Sequence, residues 1–206
     1  MAIDGYMFFK GYDNLYLASE SQVSLTKGQG DLPEIVNPFI SAVGGSTNAS
    51  QAGGGKASGL FEIEDYSFDI EQILNIGSAS SGAGAGKITF NPFSITRKID
   101  RASPIFFQMA CSGKSFQTVG LGLRKSAGNK ASGVMFLAFT FKLVAVKTVS
   151  WAHDDEAPKE TVTFEYGGLA IQYAIQAPGG ELTTVIPGGW NRVKNIQDES
   201  VSTVIN

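Results

Sequence analysis

The sequence predicts a mainly β protein: a small antiparallel β-barrel or sandwich with one short α-helix, at about residues 104–112, and a long insertion after the first strand. Three observations support this prediction. Apolar residues alternate along several segments with the period of two that strands require. Glycine is frequent, at 25 of 206 residues, and clusters between those segments. Only one segment combines helical spacing with residues typical of a helix start and a helix end.

The strand candidates change face repeatedly along the chain. Tyr6–Lys10 is the first, and Leu60–Ile70 follows with a bulge expected near Glu64 and Asp65, where the apolar residues change parity. Four further candidates lie at 88–95, 119–123, 133–150 and 161–176, and Gly167–Gly168 marks a change of face in the last. Repeated irregularities of this kind bend a sheet towards closure, which removes unpaired edges.

The predicted helix has the clearest boundaries of any element. Ser103 is a residue type that caps helix starts, Pro104 suits the first helical position, and Gly113 suits a left-handed C-cap. Between them, one apolar face repeats at helical spacing: Ile105, Phe106, Met109 and Ala110. A helix of this length is marginal alone, so we expect it to pack against the strands.

The chain is expected to form a single domain over residues 1–206. Residues 11–59 are rich in Gly, Ser and Asn, and we interpret them as a flexible insertion with one short ordered piece at Leu32–Val43. Residues 177–206 are interpreted as a polar C-terminal tail in which Trp190 is the one large anchor.

Composition excludes several classes of function. The net charge is −3 and no strongly basic run occurs, so a nucleic-acid partner is not expected. The opening MAIDGYMFFKGY lacks the basic and long apolar regions of a standard signal peptide, and no apolar run reaches transmembrane length. We therefore expect a soluble protein made in the cytoplasm, with no direct membrane insertion.

The residues offer little for catalysis or metal binding. Cys111 and His153 are the only cysteine and histidine. Cys111 lies towards the end of the predicted helix and is expected to be packed, whereas His153 is expected to be solvated, so a nucleophile–base pair would be poorly placed. Gly82–Lys87 lacks the Gly and the Ser or Thr that a phosphate loop requires. We expect no catalytic residue, no cofactor and no metal.

The segment Val134–Leu143 is apolar on both faces. One face is expected to lie in the core. The other is either core as well or is buried against another subunit, and the residues alone leave both possibilities open.

Several segments, taken in order, resemble one known family. They are GYMFFKG, FEIEDYSF, GSASSGAGAGK, FSITRKIDRASPIFFQMACSGK, VGLGLRK, TVTFEYGGLAIQYAIQ and GGWNRVKN. The set is similar to Hcp, the haemolysin co-regulated protein family that forms the inner tube of bacterial type VI secretion systems. The insertion at residues 11–59 is longer than is usual in this family.

The resemblance implies a β-barrel protomer that assembles into hexameric rings, which stack into a tube. The implied partners are other copies of the chain, the sheath and spike proteins of the machine, and small effector proteins held in the lumen. It also implies a cytoplasmic location when assembled and secretion without a cleaved signal peptide. By resemblance, two loops are expected to make ring or stacking contacts, through Gly82, Gly84, Lys87, Trp151, His153, Asp154, Asp155 and Glu156.

Alternative functions remain open at this point. The chain is interpreted as a structural tube subunit that carries or chaperones effectors. A monomeric β-barrel that binds a ligand or effector is the main alternative, and a related phage-like tail-tube protein is another. Oligomeric state separates the tube subunit from the monomeric binding module, whereas an enzyme would have to use Cys111 and His153 together.

Overall fold

A computed structural model describes residues 3–23, 25–27, 30–45, 57–75, 84–125, 133–153, 157–177 and 181–199. Over these ranges the chain forms eleven strands and two helices. In chain order they are β1 (Ile3–Lys10), α1 (Pro33–Gly44), β2 (Leu60–Ile63), β3 (Asp65–Ser67), β4 (Ile70–Asn75), β5 (Gly84–Phe90), β6 (Phe93–Lys98), α2 (Ser103–Ser112), β7 (Ser115–Lys125), β8 (Val134–His153), β9 (Pro158–Gln176), β10 (Leu182–Asn191) and β11 (Ile196–Gln197).

One curved antiparallel sheet dominates the fold. Its strands run in the order β11-β10-β9-β8-β7-β1-β2, while β6 pairs with the first half of β9 and with β3. β2 and β3 are separated only by Glu64, whose N–H donates to the carbonyl of Thr96 at 2.9 Å. The β2 end of the sheet therefore approaches the β6–β3 branch, but no continuous ladder closes the sheet among the described strands. β4 and β5 form a separate two-stranded sheet.

The predicted fold class is confirmed, and so are the irregularities that bend the sheet. The bulge expected near Glu64 and Asp65 is the break between β2 and β3. At Gly167–Gly168 the strand β9 changes face as predicted, and β8 does so at the same level, where Leu143 adopts a left-handed φ of 50°. Buried pairs stand on both sides of this point, at Val144–Tyr166 and Phe141–Leu169. Because both strands change face together, their register is kept.

Phenylalanine side chains fill the main core. Phe93 stacks on Phe141 and Phe164, with ring centroids 4.1 and 4.8 Å apart. Phe106 of α2 meets Phe9 of β1 edge to face at 5.0 Å, so the helix packs against the sheet as expected. Aromatic pairs in these arrangements add about 0.5–1.5 kcal/mol each to the stabilisation that comes from burial.

The boundaries of α2 confirm one predicted cap and correct the other. Gly113 adopts a left-handed φ of 67° and its N–H donates to the carbonyl of Met109 at 2.9 Å, as predicted. Ser103 is not the N-cap; Ala102 occupies that position without a side-chain bond. The Ser103 hydroxyl oxygen instead accepts hydrogen bonds from the N–H of Asp100 and the guanidinium of Arg97, both at 3.2 Å.

The prediction of a single helix is wrong, because α1 occupies the piece expected to be merely ordered at Leu32–Val43. Its sequence lacks the usual signals of a helix, since Pro38 lies inside it and Leu32 at its N-cap offers no side-chain hydrogen bond. Its buried face nevertheless follows helical spacing, with Ile35, Val36, Phe39 and Ala42.

Helix α1 covers the second apolar face of β8. Val134, Met135 and Ala138 pack in a second core cluster with the buried side chains of α1 and with residues of β1. Gly122 of β7 allows this approach, because a Cβ there would lie 2.7 Å from the Phe39 ring. Asp31 Oδ1 also accepts the N–H of Met135 at 3.0 Å. At these positions the chain itself, rather than another subunit, covers the face.

The segment expected to be a polar tail contains β10 and β11. β10 pairs with β9 from Leu182 to Asn191, and β11 pairs with β10 only at Trp190 and Asn191. The β-branched run Thr183–Ile186 was the available sequence signal for this strand.

Replacing Phe39 with Ala tests whether α1 is part of the stable fold. The ring is buried and lies 5.2 Å from that of Phe8, so we expect a loss of about 3–5 kcal/mol in the free energy of unfolding, measured with denaturant. Asn37→Ala, on the exposed side of the same helix, is the control and should change it by less than about 0.5 kcal/mol. Equal effects of the two substitutions would show that α1 does not pack stably on the sheet.

Candidate functional site

The residues predicted for ring or stacking contacts lie in two places along the chain. Gly84 and Lys87 belong to β5, and Trp151 and His153 lie at the end of β8. The remaining ones, Gly82, Asp154, Asp155 and Glu156, fall outside the described residues. The role of the whole set in contacts between copies stays a prediction.

An exposed aromatic pair marks the end of the β8–β9 hairpin. Trp151 is 51% exposed and Phe107 of α2 is 50% exposed, and their ring centroids lie 6.1 Å apart. The indole N–H of Trp151 donates to Glu160 Oε2 at 3.2 Å, which fixes the orientation of the ring. Large aromatic side chains held in place at a surface are typical anchors of protein–protein contacts.

A buried ion network stands behind this pair. Arg97 Nε donates to Glu160 Oε1 at 2.8 Å, and Arg97 Nη2 donates to Asp100 Oδ1 at 2.7 Å. The guanidinium also lies 5.1 and 5.2 Å from the rings of Phe61 and Phe106. Buried charges are tolerated only when paired, and here two carboxylates share one guanidinium. The network thereby joins β6, β9, the start of α2 and the indole of Trp151.

Sequence reasoning did not find the Arg97–Glu160 pair. The two residues are 63 positions apart, and neither stands in a local pattern that indicates its partner. Only the antiparallel pairing of β6 with β9, which sets Arg97 opposite Glu160, brings them together.

The only cysteine and histidine of the chain are both at the surface. Cys111 is exposed on α2, so the prediction that it is packed is wrong, whereas His153 is exposed as expected. Cys111 lines an open groove of about 580 Å³ together with the apolar side chains of Leu15, Ile105 and Phe107. No group of three or more potential metal ligands occurs within the described part of the chain.

Tyr166 and Lys142, on the two long strands, have shifted pKa values. Burial raises the pKa of Tyr166 to about 12. Burial, and the charge of Lys10 nearby, lower the pKa of Lys142, whose amine donates to the Thr118 hydroxyl at 2.8 Å. Tyr166 is thus neutral at neutral pH, with its hydroxyl buried in the aromatic core.

Neither helix in the described ranges has the length and apolar character of a membrane-spanning segment.

Replacing Glu160 with Gln tests the buried network. The change keeps the shape of the side chain but leaves the Arg97 guanidinium short of one charge partner, so the free energy of unfolding should fall by about 3 kcal/mol. Glu165→Gln is the matched control on the same strand, because Glu165 forms exposed ion pairs with Lys147 and Arg192 at 3.0 and 3.1 Å. Its loss should cost less than about 1 kcal/mol. A smaller effect at Glu160 than at Glu165 would contradict this account.

Comparison with known proteins identifies the family. The model of the family described as "Type VI secretion system effector, Hcp" matches residues 40–173, more than half of the chain. Protein hcp1 of Pseudomonas aeruginosa is 31% identical over 114 residues, which are 54% of this chain and 69% of that protein.

Solved structures show the same fold. One described as a type six secretion system protein has a TM-score of 0.68 at 20% identity and covers 96% of this chain and 100% of its own. The crystal structure of Hcp1 from Salmonella typhimurium has a TM-score of 0.58 at 21% identity, with 96% and 100% covered. The family match, the curated relative and the shared fold agree with the resemblance in the sequence. The chain therefore belongs to the Hcp family of type VI secretion tube proteins.

Proposed function

We propose that this chain is a structural subunit of the inner tube of a type VI secretion system, in which six copies form a ring and rings stack. Its partners in this proposal are other copies of the chain, the sheath and spike proteins, and small effector proteins that the tube carries or chaperones. The chain acts in the bacterial cytoplasm when assembled and leaves the cell without a cleaved signal peptide. Its function is geometric, and no catalytic step is assigned to it.

The observation that best supports the proposal is the form of the β8–β9 hairpin. Its strands have 20 and 19 residues and are the longest of the described elements. At about 3.3 Å per residue, such strands span roughly 60 Å. Trp151 lies exposed at one end of the hairpin, next to Phe107 of α2, and its hydrogen bond to Glu160 of the buried network orients it. A long, stiff element with an oriented contact residue at its end suits a subunit that joins copies over a distance.

We assign ring or stacking contacts to two loops of this subunit. One is the end of the β8–β9 hairpin, with Trp151, His153, Asp154, Asp155 and Glu156. The other is the glycine-rich segment that leads into β5, with Gly82, Gly84 and Lys87. The acidic residues Asp154–Glu156 and the basic Lys87 would supply charges of opposite sign to contacts between copies.

Deleting Asp155 and Glu156 tests the assignment of the hairpin end. We expect the purified variant to form rings but shorter stacks than the wild type, as seen by negative-stain electron microscopy. Losing about 1.4 kcal/mol of contact energy would raise the concentration needed for stacking about tenfold.

The double variant Glu34→Gln and Glu181→Gln is the control for that deletion, because it removes the same number of negative charges from exposed sites elsewhere. Its stacks should match those of the wild type. Stacks of unchanged length in the deletion variant would rule out a stacking role for the hairpin end.

A further inference from the structure

The face of the sheet that lines the main core extends past the core towards the C-terminal end of β9. Tyr173 pairs with Leu137 of β8 and Ile186 of β10, and Ile171 pairs with Phe139 and Gly188. Paired residues share a face, and so do residues two apart on a strand. Leu137, Ile171, Tyr173, Ile175 and Ile186 therefore form one surface, called here the β9–β10 face.

The side chains at the outer end of this face are more exposed than those next to the core. Leu169 is buried, Ile171 is half-buried, and Tyr173, Ile175 and Ile186 are 45%, 40% and 52% exposed. The Phe136 ring meets that of Tyr173 edge to face at 6.4 Å. Within the described ranges, however, no helix covers these three side chains in the way that α1 covers the opposite face. Beyond Trp190 and Asn191, no described strand pairs with the outer edge of β10. The chain thus presents large apolar side chains on the face of an edge strand, a feature that natural sheets usually avoid or cover.

The β9–β10 face is also nearly free of charge. From Tyr166 to Asn191 the sequence contains a single charged residue, Glu181, whereas 17% of the whole chain is charged. Lys125 lies at the rim, where its amine donates to Gln176 and stands 4.8 Å from the Phe136 ring. Depletion of charge around exposed aromatic and aliphatic side chains is the composition of the centre of a protein–protein interface. It does not suit nucleic acid or an anionic membrane surface, which require basic patches.

The same chain carries a second exposed apolar surface that fits as the partner. The Trp151–Phe107 pair lies at the other end of the hairpin, 14 residues along β8 from Leu137, or about 46 Å in an extended strand. Two unlike apolar surfaces at opposite ends of one rigid element cannot meet within one molecule. They can meet between copies, and a contact between unlike surfaces leads to rings or filaments rather than closed dimers.

We infer that the β9–β10 face is a docking surface for a second copy of this chain, and that the Trp151–Phe107 pair of the neighbour contacts it head to tail. The inference rests on the proposed function and deepens it, because it names the surface on the neighbouring copy that Trp151 of the hairpin end contacts. In this arrangement Tyr173 and Ile186 become buried on assembly.

Two variants, each with a charge placed in one of the two surfaces, test the inference. Ile186→Glu disrupts the β9–β10 face, and Phe107→Glu disrupts the aromatic pair. Each alone should raise the concentration at which half of the protein is assembled by about tenfold or more, measured by light scattering on a sizing column. Tyr12→Glu is the control, because Tyr12 is a 53% exposed aromatic outside both surfaces, and it should assemble as the wild type does.

Mixing the two variants tests whether these surfaces contact each other. In a head-to-tail contact, each copy retains the surface that the other has lost. At a concentration at which each variant alone is monomeric, an equimolar mixture should therefore form dimers. Thermal unfolding of each variant, monitored by circular dichroism, checks that it is folded. Tyr173→Ser, which removes a ring without adding charge, should also weaken assembly of an otherwise unchanged chain.

The outcomes separate this inference from the proposed function. If the wild type forms rings, and Ile186→Glu and Tyr173→Ser both assemble as the wild type does, the docking surface is overturned and the tube function stands. A mixture that stays monomeric would overturn the head-to-tail contact. A wild-type protein that never assembles would overturn the proposed function, and the docking surface with it.

Discussion

The long antiparallel pairing of β8 with β9 is the constraint on which the rest of the structure depends. It runs from Leu137–Tyr173 to His153–Pro158, and β9 in turn pairs with β10 along its second half and with β6 along its first. Because the two strands change face together at Leu143 and Gly167, the apolar side of the hairpin can line the main core over most of its length. The same pairing places Trp151 at one end and Tyr173 at the other.

Both faces of the sheet are apolar near the start of β8, and each is covered differently. The inner face packs on phenylalanines and α2, while the outer face packs on α1, which lies in the segment that interrupts the chain after the first strand. The hydrogen bonds of the Ser19 hydroxyl to the carbonyls of Ser58 and Leu60, at 3.1 and 2.6 Å, tie that segment to β2. The described parts of the insertion are thus built into the packing of the sheet, which leaves the β9–β10 face as the exposed apolar part of the same hairpin.

Sequence patterns predicted those features that depend on neighbours along the chain. Alternation located the strands, and Gly113 marked the end of α2 because only a residue without Cβ adopts a left-handed φ easily. The patterns did not predict α1, because an internal Pro38 and an uncapped start argue against a helix. Packing on β1 and β8 stabilises it instead. They also missed the Arg97–Glu160 pair and the increase in side-chain exposure towards the end of β9, because both depend on which strands pair. For the candidate site, sequence resemblance indicated the hairpin end, but the orientation of Trp151 by Glu160 required the three-dimensional arrangement.

The central claim is that copies of this chain assemble through unlike surfaces into a closed ring. The most direct measurement is the mass of the purified full chain in solution, by light scattering over a range of concentrations, with negative-stain images of the main peak. The account predicts a species with six times the mass of one chain and ring-shaped particles with a central hole. A mass equal to that of one chain at every concentration would contradict it.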